Sequence, residues 1–175
     1  PKSQVAIVFS GDFPWSPANR VALRSMADVL QTRLRETLRE ELGGTYSVSV
    51  SPGYNKLPTP EYQLSISFGC DPTRTDALVK RVFEEIDKLK AAGPTDKQVG
   101  DVKETMLRDF ETQSKENGYL LTNISTRYEY NEDLKDFFTI PDLYRALSVA
   151  SIQQAAKTYL NTKNYVQVSL FPEKK

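Results

Sequence analysis

Apolar positions fall along this chain in two rhythms, and the switches between them outline the elements. Val5 to Phe9 (V-A-I-V-F) is a short continuous apolar run closed by Gly11-Asp12-Phe13-Pro14, which predicts a strand buried on both faces. Leu23, Met26, Leu30, Leu34, Leu38 and Leu42 then recur every three or four residues, as one face of a helix does. Ser16 before Pro17 supplies an N-cap and a first helical residue. Gly43-Gly44 supplies a C-terminal stop, so the spacing predicts a helix over 17–42. The rhythm next shortens to two. Tyr46, Val48 and Val50 alternate with Thr45, Ser47, Ser49 and Ser51, and Tyr62, Leu64, Ile66 and Phe68 alternate with Gln63, Ser65, Ser67 and Gly69. One apolar and one small polar face predicts two half-buried antiparallel strands. The Pro-rich stretch between them, Pro52 to Pro60, reads as a surface loop.

Helical spacing returns at Asp71-Pro72, with Leu78, Val82, Phe83, Ile86 and Leu89 inward and Gly93-Pro94 as the stop. Thr95 with Gln98 forms a capping box for a helix through Val99, Val102, Met106 and Phe110. A polar stretch, Ser114 to Asn117, precedes a further helical pattern carried by Leu121, Ile124 and Tyr128, and 131–136 is a polar break. Ser151 with Gln154 predicts the cap of a last helix that ends near Leu160-Asn161, and Tyr165 to Phe171 predicts a closing strand. The order is strand, long helix, two strands, several helices, strand. That order predicts an α+β, two-layer sandwich: a four-stranded antiparallel or mixed sheet with helices packed on one face. The serine parity of the middle strands would be the uncovered face.

Composition narrows the chemistry. At 175 residues the chain fits one domain, and 39% hydrophobic with 26% charged residues is ordinary for a globular one. Lys plus Arg and Asp plus Glu are equal, at 23 each, which argues against nucleic-acid binding driven by counterion release. No apolar run reaches membrane-spanning length, so no membrane insertion is expected. The single cysteine, Cys70, excludes an internal disulfide and a multi-cysteine metal cage, and reads as a packed thiol. There is no histidine at all. A His-based triad, an imidazole general base and a His-ligated zinc therefore cannot be assembled from this chain alone. Glu84-Glu85 and Glu132-Asp133 read as solvated faces, and Asn123-Ile124-Ser125 as a chance glycosylation match within a helix. Trp15, between Pro14 and Pro17, fits either a lid on the core or a contact with a neighbouring domain.

The most informative stretch is Leu38-Arg39-Glu40-Glu41-Leu42-Gly43-Gly44-Thr45-Tyr46-Ser47-Val48. It ends an amphipathic helix, turns on two glycines and enters a strand, with Tyr46 seven residues after Arg39. Arg35 with Arg39, and Glu36 with Glu40, are like charges four apart, which costs a helix a few tenths of a kcal/mol. From the residues alone, two readings stand. Arg39 can pair with Glu36 or complement the helix dipole while Tyr46 joins the core, or both can face a ligand.

The run LREELGGTYSVSVSP resembles the helix–turn–strand signature in the C-terminal half of insulinase/pitrilysin-type zinc peptidases, the inverzincins, and most closely the bacterial type. The resemblance extends over nearly the whole chain, through SISFGCDP and YLNTKNYVQVSLFPE. It implies that residues 1–175 form a single C-terminal domain, a fragment of a larger chain. In that family an N-terminal half carries H-x-x-E-H, whose histidines hold zinc and whose glutamate is the general base. The resemblance implies that Arg39 and Tyr46 bind the substrate backbone across a closed chamber, with Leu42 and Gly43 the structural part of the motif. The chain itself lacks H-x-x-E-H, so no catalytic residue and no metal ligand is expected within it. Zinc is expected in the parent enzyme, on the N-terminal half. The expected partners are that half, in the same protein or a partner subunit, and an unfolded peptide. The implied function is thus the non-catalytic half of a zinc-dependent metalloendopeptidase, inactive alone. An inactive family member that binds peptides or scaffolds an assembly is the alternative, and a free-standing α+β interaction module a third. The bacterial resemblance favours the periplasm or cell envelope, with the cytoplasm as the other compartment.

Overall fold

The computed structural model describes residues 2–40 and 47–173, without the side chains of Arg39 and Glu40. Strand β1 (Ser3–Asp12) leads into helix α1 (Pro17–Glu40), then strands β2 (Val48–Asn55) and β3 (Glu61–Cys70). A 3-10 turn over Pro72–Arg74 precedes α2 (Thr75–Ala92), α3 (Asp96–Gln113), α4 (Asn117–Glu129), α5 (Asp136–Arg145), α6 (Val149–Tyr159) and strand β4 (Tyr165–Leu170). The four strands form one sheet in the order β2-β3-β1-β4, and every pairing is antiparallel. The architecture is the α+β sandwich that the alternating patterns predict, with the sheet wholly antiparallel.

The core lies between the sheet and α1, α2 and α6. Val5, Ile7, Phe9, Leu64, Ile66 and Phe68 point from the strands into it, against the α1 stripe of Leu23, Met26, Leu30, Leu34 and Leu38. Each such side chain contributes about 1.5–3 kcal/mol by leaving water, which is why α1 tolerates its like-charge pairs. Ser16 Oγ accepts from the Asn19 amide at 3.1 Å and caps α1, with Pro17 its first residue. Gly93, at φ 75°, closes α2 by donating its N–H to the Leu89 carbonyl. It also lies so close to α6 that an added Cβ would meet Val149 Cγ1 at 3.1 Å.

Several local expectations change. β1 is longer than Val5–Phe9 and is not buried on both faces: Val5, Ile7 and Phe9 are buried, whereas Ala6 and Val8 are half-buried. The 52–60 stretch is not all loop, because β2 continues through Pro52 and pairs as far as Asn55↔Glu61. Pro52 is tolerated because β2 is an edge strand, where the missing N–H faces no partner. The last helix starts three residues early, with a reciprocal cap between Ser148 and Ser151 instead of Ser151 and Gln154. Helix α5 lies between the polar break and that cap, where no helix is expected, and holds Pro141 inside it. Burial of Phe137 and Tyr144 offsets the one backbone bond that proline removes.

Two acidic clusters also differ from their reading as solvated faces. Glu85 is buried and pairs with Lys88 at 2.7 Å. Glu132 accepts both Arg20 Nη1 and Nη2, at 2.7 and 3.1 Å, and the indole N–H of Trp15. The Arg20 guanidinium lies 4.7 Å above the Trp15 ring, and Tyr54 and Tyr130 meet that ring edge-on. Trp15 is therefore a half-buried clamp that joins the start of α1, the β2–β3 hairpin and the α4–α5 turn. Burial works to raise the Glu132 pKa, but the Arg20 and Trp15 hydrogen bonds and the Arg20 and Arg127 charges outweigh it, leaving the carboxyl below its usual range. Cys70 is buried as a packed thiol beside Thr75, and the Asn123 side chain is occupied within α4 by the Tyr119 carbonyl and Arg127.

Candidate functional site

The helices occupy one side of the sheet and leave the other open. On that open face the β2 and β3 positions are Ser49, Ser51, Ser65, Ser67 and Gly69, brought opposite one another by the register Ser49↔Ser67 and Ser51↔Ser65. Alternation puts them there: Val48, Val50, Leu64, Ile66 and Phe68 take the core parity, so the intervening small polar residues must point away. The other half of the face has a different chemistry. β1 and β4 present Ala6 and Val8 beside Val168 and Val166, with Leu170 beyond. The open surface is thus hydroxyl-rich over β2–β3 and aliphatic over β1–β4.

A shallow depression of about 170 Å³ lies at the polar end, lined by Lys2, Gln4, Ser47, Ser49, Ser67 and Gly69 among others. Gly69 makes room for it, since a Cβ there would meet Gln4 Nε2 at 3.1 Å. Hydroxyls and a primary amide at this spacing can both donate to and accept from a peptide backbone. The depression adjoins Ser47 and the start of β2.

The residues singled out in the sequence lie at the end of α1 and between it and β2 along the chain. The Arg39 backbone forms part of the last turn of α1, but its side chain is outside the described residues, as are Leu42, Gly43 and Tyr46 entirely. The sequence analysis missed Gln31. From α1 its Nε2 donates to the Val48 carbonyl at 2.8 Å and its Oε1 accepts from the Val50 amide at 2.6 Å. One side-chain amide thereby satisfies an outward carbonyl and an outward amide at the start of the β2 edge, as a neighbouring strand would. A peptide approaching this corner meets the open face and not a free strand edge. No sequence signal marks Gln31, because its partners lie 17 and 19 residues away.

Among the described residues no three His, Cys, Asp or Glu converge to hold a metal. The sequence contains no histidine, so these residues do not fit a His-ligated catalytic zinc. Also among the described residues, no helix is long and apolar enough to cross a membrane.

Comparison with known proteins agrees with this geometry. The peptidase M16 inactive domain family matches residues 1–106, which span β1 through most of α3. A Haemophilus influenzae protein described as a probable zinc protease, PqqL, is 30% identical over 89 residues, 51% of this chain and 10% of that protein. The chain therefore spans about a tenth of that relative's length. The periplasmic protease PqqL of Escherichia coli superposes with a TM-score of 0.85 at 24% identity, over 99% of this chain and 19% of that one. A peptidase M16 inactive domain from Pseudomonas fluorescens superposes with a TM-score of 0.77 at 21% identity, over 96% of this chain and 40% of that one. The match over residues 1–106, more than half of the chain, makes this chain a member of the peptidase M16 inactive domain family.

Proposed function

We propose that this chain is the non-catalytic half of a zinc-dependent metalloendopeptidase and that its open sheet face lines the substrate chamber. On this reading residues 1–175 are one unit of a longer protein, and the catalytic zinc belongs to the other half. The observation that carries it is the hydroxyl-rich open face at the start of β2, in a chain of the M16 inactive domain family. An extended peptide laid there would exchange backbone hydrogen bonds with serine hydroxyls and Gln4. Arg39 and Tyr46 flank the α1–β2 connection along the chain and would donate to one substrate carbonyl, which fixes its position and stabilises charge that develops on its oxygen. Because Gln31 occupies the β2 edge at Val48 and Val50, recognition at this corner would rest on these side chains. The Escherichia coli relative is described as periplasmic, and we place this chain in the periplasm or cell envelope on that basis.

The test uses the longer protein that carries this chain. Arg39→Ala and Tyr46→Phe should each lower kcat/KM for an unfolded peptide by about ten- to a thousandfold, the range of one oxyanion-type donor. Wild-type rates in both variants would overturn the role of these two residues.

A further inference from the structure

A second concavity lies far from the open face, on the outer tier of helices. Phe110 of α3, Leu120 and Ile124 of α4, and Leu134, Phe137 and Phe138 around α5 line a cavity of about 520 Å³. Part of its lining is apolar and open to solvent: Ile124 is 44% exposed, Leu134 38% and Phe138 77%. The pattern of Leu121, Ile124 and Tyr128 does form a helix, α4, but those residues are exposed and the α4 residue that is buried is Arg127, at 5% exposure.

Arg127 also lines this cavity. Its guanidinium lies over the Phe137 ring at 5.6 Å, and its Nη1 donates to Asn123 Oδ1 at 3.0 Å. Nε is out of contact with solvent and has no hydrogen-bond partner among the described residues. A buried donor left unpaired is costly, and Glu132, whose carboxyl feels the Arg127 charge, is already hydrogen-bonded by Arg20 and Trp15. The guanidinium that lines the cavity is thus largely desolvated before any ligand arrives, with one of its donors unspent. The other polar groups of the lining are committed. Ser114 Oγ donates to the Glu111 carbonyl, and the Asn123 amide bonds Tyr119 and Arg127. A ligand with several polar atoms, such as a peptide, would leave them unpaired.

We propose that this cavity binds a small monocarboxylate with a hydrocarbon tail, its carboxylate paired with Arg127 and its tail among Phe110, Phe137 and Phe138. The site is independent of the peptidase reading.

Calorimetric titration of the chain with octanoate tests it, with octanamide as the neutral isostere and acetate as the head without the tail. Octanoate should saturate one site, octanamide should bind at least about tenfold more weakly, and acetate should show no binding. Arg127→Met should abolish the preference for octanoate over octanamide, whereas Phe138→Ala, at an exposed position, should weaken both ligands alike. The Nε–Hε resonance of Arg127 in unaltered protein needs no variant, and it should shift on adding octanoate. Absence of octanoate binding, equal affinity for octanoate and octanamide, or an unmoved Arg127 resonance would overturn the proposal. Tighter binding of a free-acid tripeptide ending in phenylalanine would overturn the ligand class.

Discussion

Replacing Glu132 with alanine removes the acceptor of three charge-assisted hydrogen bonds, two from Arg20 and one from Trp15. Such bonds are worth about 1.5–3 kcal/mol each in isolation. They are not additive here, because Arg20 and Glu132 retain 15% and 12% side-chain exposure and Arg20 can partly rehydrate once released. The loss should be about 2–4 kcal/mol, below that of a fully buried pair broken on one side. Glu132→Gln keeps an acceptor oxygen but no charge and should lose about half as much. At this chain length about 3 kcal/mol corresponds to roughly 6–12 °C in Tm. Urea unfolding followed by far-UV circular dichroism measures it, and Trp15, the sole tryptophan, reports on the same site by fluorescence. The pH dependence has a fixed sign. The folded pKa of Glu132 is lowered, so its contribution is present above the unfolded carboxyl value of about 4.3 and is lost as pH falls through the lower folded value. The wild type should therefore lose more stability than Glu132→Ala between about pH 6 and about pH 3. A loss in Glu132→Ala under about 0.5 kcal/mol, the range of an ordinary surface change, would refute this account. So would parallel pH profiles of the two proteins.

Three further outcomes test other contacts. Gln31→Ala should cost about 1–2 kcal/mol and speed hydrogen exchange at the Val50 amide, whose acceptor is Gln31 Oε1; unchanged exchange there would show that the edge is not sealed by this side chain. Gly93→Ala should lower stability by about 1–3 kcal/mol, since φ 75° and the approach of Val149 both oppose a Cβ, and a neutral result in thermal unfolding would count against that strain. Tyr62→Phe should cost about 0.5–1.5 kcal/mol in urea unfolding, because the buried hydroxyl donates to the Tyr159 carbonyl at 3.1 Å; no change would mean that water replaces the bond.

The sequence by itself determined what depends on near neighbours. The α1 stripe, the Thr95–Gln98 cap, the Gly93 stop and the serine parity of β2 and β3 all follow from periods of 3.6 or 2 and from residues three or four apart. The absence of histidine likewise means that a His-ligated zinc cannot be assembled from this chain alone. What the tertiary structure decided depends on partners distant along the chain. Glu132 reads as solvent-exposed until Arg20, 112 residues earlier, is brought against it. Leu121, Ile124 and Tyr128 share a helical spacing with core residues, but α4 lies on the outer tier, so the same spacing faces water and the arginine is buried. Periodicity identifies a face of a helix. Which face becomes the core is settled only by the packing of the elements around it.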